Sequence, residues 1–120
     1  MSIKTLVIGA STNPARYSNM AIRSLMNHGH EVVPLAKREG YIGTLKIQTE
    51  FPIDQNIHTV TLYVGPQNQS EYYELIVNLK PERVIFNPGT ENNDFIEMLE
   101  SRGIKTIEGC TLVMLGTGQY

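Results

Sequence analysis

The stretch KTLVIGASTNPARYS, residues 4–18, decides how the chain folds. Residues 4–9 form a continuous run rich in β-branched residues, which is typical of a strand buried on both faces of a parallel sheet. Small and turn-forming residues follow, and Ser18 is a candidate N-cap for a helix. The stretch therefore predicts a buried strand, a tight loop and the start of a helix.

The same alternation of apolar strands and amphipathic helices continues to the end of the chain. The first helix has an apolar face that includes Leu25, and Gly29 suits its C-terminal end. Asn68 with Glu71 resembles a capping box for a second helix, and Thr90 is a candidate cap for a third. The predicted strands are residues 4–9, 31–35, 57–64, 83–86 and 104–107, with a short extra strand near residues 45–47. The apolar run at residues 111–115 fits a sixth strand or an edge segment, and the sequence does not decide between them.

This order of elements predicts one α/β domain over residues 1–120: a Rossmann-like, doubly wound parallel sheet of about five strands with helices on both faces. Right-handed crossovers give the strand order 3-2-1-4-5 most simply. A ligand of such a sheet binds where the order reverses. We therefore expect a crevice between the loops at residues 10–17 and 87–90.

Composition limits the classes of function. Of the 120 residues, 41% are hydrophobic and 18% are charged, which is too apolar for intrinsic disorder and too polar for a membrane protein. The formal net charge of -2 gives no general attraction to nucleic acid or to anionic lipid. The N-terminal apolar run is neither a signal peptide nor a spanning helix, and a single cysteine, Cys110, fits a reducing cytoplasm.

The loop between the first strand and the first helix is a candidate phosphate site. Its small residues allow the backbone to approach a ligand closely, and a helix N-terminus offers free N–H groups and a positive dipole end. The hydroxyls of Ser11, Thr12 and Ser18 add donors, and Arg16 with Tyr17 adds a cation and a ring suited to a nucleotide. The alternative is that these residues only let the chain turn and cap the helix.

The loop is not the dinucleotide fingerprint G-x-G-x-x-G, because no glycine follows Gly9 until Gly29. The second predicted strand ends in Pro34 and Leu35 and is followed by Lys37 and Arg38, where NAD would need an acidic residue. Cations at this position suit a phosphate on the ribose, such as the 3′-phosphate of coenzyme A or the 2′-phosphate of NADP. Each of the two could equally be a solvated loop charge.

Four ordered motifs together resemble a known family. They are the G-A-S turn that leads to R-Y-S-N at residues 16–19, G-H-x-V-x-P at residues 29–34, F-N-P-G-T-E at residues 86–91 and E-G-C at residues 108–110. The chain resembles the stand-alone coenzyme A-binding proteins, which are similar to the N-terminal domain of the succinyl-coenzyme A synthetase alpha subunit. The resemblance covers nearly the whole chain and implies a coenzyme A site.

The resemblance implies a role for each part of that site. It places the diphosphate near Ser11, Thr12, Arg16, Tyr17 and Ser18, the adenine end near Pro34, Leu35 and Lys37, and pantetheine past Val64, Gly65, Asn87, Pro88 and Gly89. Gly9 and Ala10, at the start of the loop, are predicted to bind the ligand through close approach of their backbone.

No catalytic constellation or metal site is expected, because His28, His30 and His58 lack partners at the required spacing. Cys110 could form a mixed disulfide with the pantetheine thiol, although a buried, inert cysteine is the simpler interpretation. The main hypothesis is a non-catalytic module that binds coenzyme A or an acyl derivative as a carrier or sensor. The alternatives are an NADP-binding oxidoreductase or reductase subunit, and a subunit that binds a protein partner or a second copy without any nucleotide.

Overall fold

The computed structural model describes residues 2–120. The strands are β1 (Thr5–Ile8), β2 (Val32–Leu35), β3 (Gly40–Ile42), β4 (Leu45–Ile47), β5 (Thr59–Leu62), β6 (Arg83–Phe86) and β7 (Lys105–Glu108). The α-helices are α1 (Tyr17–Asn27), α2 (Tyr73–Leu79), α3 (Asn93–Ser101) and α4 (Thr111–Gly116), and two short 3-10 helices, Pro66–Asn68 and Ser70–Tyr72, precede α2.

Five parallel strands form the main sheet in the order β2-β1-β5-β6-β7. The α/β class and the parallel sheet are confirmed, but the predicted order 3-2-1-4-5 is wrong. In the same numbering the observed order is 2-1-3-4-5, because the chain leaves β2 and returns on the other side of β1. Right-handed crossovers are compatible with both orders, so the alternation of strands and helices does not distinguish them. The reversal therefore lies between β1 and β5.

Helices cover both faces of the sheet, and the side chains of β1 pack against both layers. Leu6 and Ile8 point into one core, which is completed by side chains of α2 and α3, whereas Val7 points into a second core formed with α1 and α4. All three side chains are fully buried. Full burial of an aliphatic side chain contributes about 1.5–3 kcal/mol, so this continuous apolar run fixes β1 between the two helical layers.

The hairpin of β3 and β4 forms a separate two-stranded antiparallel sheet beside β2. The backbone of Gln48 donates to Pro34 O at 2.8 Å and accepts from the Ala36 N–H at 3.0 Å, which ties the hairpin to the end of β2. Ile42 and Ile47 are buried, and the predicted short strand at residues 45–47 corresponds to β4.

Three local predictions are corrected by the structure. Ser18 lies inside α1 and is buried, while Arg16 occupies the N-cap position without a capping side-chain bond. Asn68 caps nothing, because 3-10 helices fill the segment before α2. Asn92 rather than Thr90 caps α3, and its Oδ1 accepts from the Phe95 N–H at 3.2 Å. Short polar residues at neighbouring positions cap equally well in principle, so the backbone path decides which one does.

The apolar run at residues 111–115, expected as a strand or an edge segment, lies in α4. Its Leu115 is buried in the same core as Ile22 of α1, so tertiary packing overrides the β-propensity of the run. Among residues 2–120, no helix combines the length and the apolar character required to cross a bilayer.

Candidate functional site

A groove runs along the carboxyl edge of the main sheet, where the loops after β1, β2, β5 and β6 meet. We call its largest part, of about 500 Å³, the central cavity. It is lined by Gly9, Ala10, Ser11, Arg16, Tyr17, Ser18, Tyr63, Val64, Gly65, Pro88, Gly89 and Thr90. The expected crevice between residues 10–17 and 87–90 therefore exists. The loop after β5 forms its third wall, because β5 lies next to β1 and not at the edge of the sheet as the predicted order had it.

Three further cavities continue the groove. The bridge cavity, of about 400 Å³, shares Gly9, Ala10 and Val64 with the central cavity and is also lined by Ala36, Lys37, Asn68, Glu71 and Tyr72. The hairpin cavity, of about 470 Å³, extends past Lys37 and is lined by Ala10, Ser11, Thr12, Ala36, Lys37, Arg38, Glu39 and Ile47. In the opposite direction, the Cys110 cavity, of about 260 Å³, is lined by Tyr17, Tyr63, Asn87, Pro88, Cys110 and Leu112. The groove thus has the elongated shape that an extended nucleotide requires.

Gly9 sets the floor of the central cavity. Its φ is +97°, and a Cβ built there would lie 3.0 Å from the backbone carbon and oxygen of Tyr63. The N–H groups of Gly9 and Ala10 both donate to Leu35 O at 3.0 Å. Only glycine combines this left-handed conformation with such close approach of two backbones, so the first residue after β1 is fixed by sterics.

The N-terminus of α1 opens into the central cavity. No side chain caps it, and no acidic residue lies in its first turn. Arg16 is exposed beside it, and in the described residues the wall of the cavity contains no carboxylate. The free N–H groups, the positive end of the helix dipole and the guanidinium together favour an anion at this point.

The loop that leads to α1 is held in place from behind. The buried Asn19 donates to Ser11 O at 2.8 Å, and Arg23 Nε donates to Asn19 Oδ1 at 2.8 Å. Arg23 also donates to Pro14 O at 3.3 Å. These bonds order the loop in the free protein. The loop would therefore lose little conformational entropy when a ligand binds.

Lys37 and Glu71 form an ion pair at the bridge cavity. The hydrogen bond from the Lys37 ammonium to Glu71 raises the pKa of Lys37, and the ammonium lies 5.7 Å from the centroid of the Tyr72 ring. Arg38 lines the adjoining hairpin cavity. The two cations expected to meet a ribose phosphate thus do lie at one end of the groove, but one of them already has an acidic partner.

Asn87 lies at the Cys110 cavity, but its side chain forms hydrogen bonds within the protein. Its Nδ2 donates to Thr61 Oγ1 at 2.6 Å and to Leu62 O at 2.9 Å, and its Oδ1 accepts from the Thr111 N–H at 2.9 Å. Its backbone oxygen accepts from the Thr90 hydroxyl at 2.8 Å. Asn87 therefore positions the turn after β6 and the start of α4, and the neighbouring Pro88 forms the wall of the groove.

Gln69 is a site-shaping residue that the sequence did not reveal. It is fully buried, and its Nε2 donates to Val64 O at 3.0 Å and to Thr90 O at 2.7 Å. Its Oε1 accepts from Asn92 Nδ2 at 2.9 Å. It thus joins the two loops that face α1 across the central cavity, and nothing in the polar run at residues 67–70 distinguishes it from Gln67.

Tyr63 separates the central cavity from the Cys110 cavity. Burial raises the pKa of its hydroxyl far above the ordinary value, so the side chain is neutral at physiological pH. Cys110 is partly exposed and lines the same cavity, so it is not the fully buried cysteine of the simpler interpretation.

The remaining predicted residues are more dispersed. Thr12 is exposed and lines the hairpin cavity. Leu35 lines a smaller cavity of about 180 Å³ below Lys37. Pro34 is buried within β2 and is not part of the wall of any cavity named above. The groove thus brings together most of the residues predicted for coenzyme A, with Pro34 outside it.

Fold and site together define a Rossmann-like α/β domain with an elongated groove at the switch point of its sheet. The model of the CoA binding domain family matches residues 4–116, and the chain belongs to that family.

Solved structures share the fold of this chain. A crystal structure of an uncharacterised protein is 45% identical, with a TM-score of 0.97 over 100% of this chain and 99% of that one. A hypothetical protein from Pyrococcus horikoshii OT3 is 25% identical, with a TM-score of 0.86 over 97% of this chain and 83% of that one. A Thermus thermophilus protein, 20% identical with a TM-score of 0.85 over 99% and 91% of the two chains, shares the fold. The comparison with curated proteins gave no match.

Proposed function

We propose that the protein binds coenzyme A or an acyl derivative in the groove, with the diphosphate at the N-terminus of α1. The observation that carries this proposal is the uncapped, acid-free helix start that opens into a cavity of about 500 Å³. Its N–H groups and Arg16 supply donors for the phosphates. Membership of the CoA binding domain family supports the choice of ligand.

The elongated groove accommodates the two ends of the coenzyme in opposite directions. The adenosine and its 3′-phosphate extend through the bridge cavity towards Lys37 and Arg38, which supply positive charge. Pantetheine passes Val64, Gly65 and Pro88 towards the Cys110 cavity, whose wall is largely apolar. Asn87 acts in this arrangement by holding the turn.

We also propose a carrier or sensor role rather than catalysis. The side chains that line the central cavity offer hydroxyls and one guanidinium, and burial keeps Tyr63 protonated, so the anion site itself holds no obvious general base. A cytoplasmic location suits the single thiol of the chain. A protein partner or a second copy would then receive the signal of ligand binding.

The test is the thermal midpoint of unfolding with excess coenzyme A, dephospho-coenzyme A, NADP or NAD. A ligand at about 100 times its dissociation constant adds roughly 2.7 kcal/mol of stability, which is a shift of several degrees for a domain of this size. We expect the largest shift with coenzyme A. A shift with NADP alone would replace this proposal by an oxidoreductase.

Substitution separates the anion site from general charge effects. Arg16→Ala should reduce the shift caused by coenzyme A and leave the midpoint of the free protein almost unchanged, because Arg16 is exposed. Arg102→Ala is the matched control, because Arg102 is an exposed arginine at the end of α3, outside the groove. Equal effects of the two substitutions would remove Arg16 from the site.

A further inference from the structure

The Lys37–Glu71 ion pair crosses the groove. Lys37 follows β2, Glu71 lies in the 3-10 helix Ser70–Tyr72 after β5, and β1 is the strand between β2 and β5. The ammonium donates to Glu71 Oε1, and the pair shares the bridge cavity with Gly9 and Ala10 at the end of β1. A ligand that extends from the central cavity through the bridge cavity lies beside this pair.

The pair is suited to being broken. The side chains of Lys37 and Glu71 are 73% and 50% exposed, and an exposed ion pair of this kind contributes little to stability because solvent screens it. Lys37 also borders the cavity that Arg38 lines. A phosphate monoester carries more negative charge than one carboxylate and can bond to both cations, so it is the stronger partner for Lys37.

We propose that Glu71 competes with the 3′-phosphate of the ligand for Lys37 and thereby sets how strongly the protein distinguishes coenzyme A from dephospho-coenzyme A. The inference rests on the proposed function. Without ligand, Glu71 holds the ammonium across the groove. When coenzyme A binds, the phosphate takes the ammonium and the carboxylate turns to solvent, where it remains close enough to repel the phosphate.

The consequence is a selective gain when the carboxylate is neutralised. Glu71→Gln keeps the size of the side chain, frees Lys37 and removes the nearby negative charge. These changes should raise the affinity only for a ligand that carries the 3′-phosphate. Glu74→Gln is the matched control, because Glu74 is also exposed, lies three residues further along the chain and lines none of the cavities named above.

The experiment is calorimetric titration of each variant with coenzyme A and with dephospho-coenzyme A. We expect Glu71→Gln to tighten coenzyme A binding roughly two- to five-fold, the range of an exposed ion pair, and to change dephospho-coenzyme A binding by less than about 1.5-fold. Glu74→Gln should change neither. Lys37→Ala should weaken coenzyme A binding about tenfold, and Glu71→Gln added to it should gain less than it does alone.

The failures are distinguishable. If the wild-type protein binds coenzyme A but Glu71→Gln leaves its affinity unchanged, weakens it, or tightens both ligands equally, the competition is refuted and the binding function stands. If the wild-type protein binds neither ligand, both the proposed function and this inference are refuted.

Discussion

Two helices begin at the same edge of the sheet and their N-termini differ completely. In α3, Asn92 caps the helix and Asp94 lies in the first turn, so the positive end of the dipole is neutralised by the protein. In α1, Arg16 occupies the cap position without a capping bond, and no acidic residue follows. The protein thus completes the start of α3 with its own side chains and leaves the start of α1 uncapped.

The difference makes the start of α1 the candidate anion site. A helix without a cap is less stable, since a capping side chain typically contributes about 1 kcal/mol. At α1 the uncapped end faces the central cavity, whereas Glu91 next to α3 accepts a further bond from the Gly89 N–H at 2.9 Å. The unsatisfied end and the cavity coincide, which is what an anion site requires.

The largest effect is expected at Gly9, which shapes the cavity below the open helix end. Gly9→Ala should lower the free energy of unfolding, measured with urea, by about 3 kcal/mol or more, because the methyl group meets the Tyr63 backbone at 3.0 Å and φ is +97°. Gly29→Ala is the control: its φ is +80° but nothing lies within 4 Å of the added atom, so only about 1 kcal/mol is expected. Equal losses would show that close approach contributes nothing.

The second prediction converts the start of α1 into one like that of α3. Arg16→Asp should weaken coenzyme A binding by roughly 30- to 100-fold, because a charge-assisted bond is replaced by repulsion. The same change should raise the stability of the free protein by about 0.5–1 kcal/mol, because aspartate caps a helix and complements its dipole. Calorimetry and urea unfolding measure the two effects. Unchanged affinity would mean that the ligand does not lie at α1.

The third prediction breaks the completed helix start. Asn92→Ala should destabilise the protein by about 1–2 kcal/mol, because it removes the cap of α3 and the bonds to Gln69 and Tyr73. Asn92→Ser keeps a capping oxygen and should recover part of the loss in urea unfolding. If serine recovers nothing, the stability comes from the two side-chain partners and the cap is irrelevant.

Much of the fold was predictable because burial on both faces of a parallel sheet leaves a continuous apolar run in the sequence. The largely buried strands β1, β2, β5 and β6 were predictable for this reason. The caps were not, because Ser18 and Thr90 have the right chemistry but the backbone turns at other residues. The helix α4 was missed because its start is fixed by a distant partner, the side chain of Asn87.

The strand order explains what was missed in the site. In the predicted order 3-2-1-4-5, β5 would lie at the edge of the sheet, away from β1. In the observed order it pairs with β1, which brings Glu71 into the groove beside Val64, the residue that the resemblance already implied. The ion pair of Lys37 with Glu71 spans residues 34 positions apart, and no local pattern in the sequence signals such a contact.

The smallest effect is expected for the pH dependence of stability at the opposite edge of the sheet. This edge lies away from the proposed ligand site and serves as a control region. His30 Nδ1 accepts from the Ile3 N–H at 2.9 Å, and the ring lies 5.2 Å from that of Tyr120. Burial lowers the pKa of His30, and the charges of His28 and Arg83 lower it further. The folded protein therefore binds this proton more weakly than the unfolded chain does.

The sign of the pH dependence follows from that shift. The stability that neutral His30 contributes is present above its ordinary pKa of about 6.5 and is lost as pH falls through that value towards the lower pKa of the folded state. His30→Asn retains an acceptor but does not titrate, so its urea midpoint should fall less than that of the wild type between pH 7 and 5. At pH 7 its shift with coenzyme A should equal that of the wild type, because His30 lies at the other end of the sheet from α1. A changed shift would mean that the two edges are coupled.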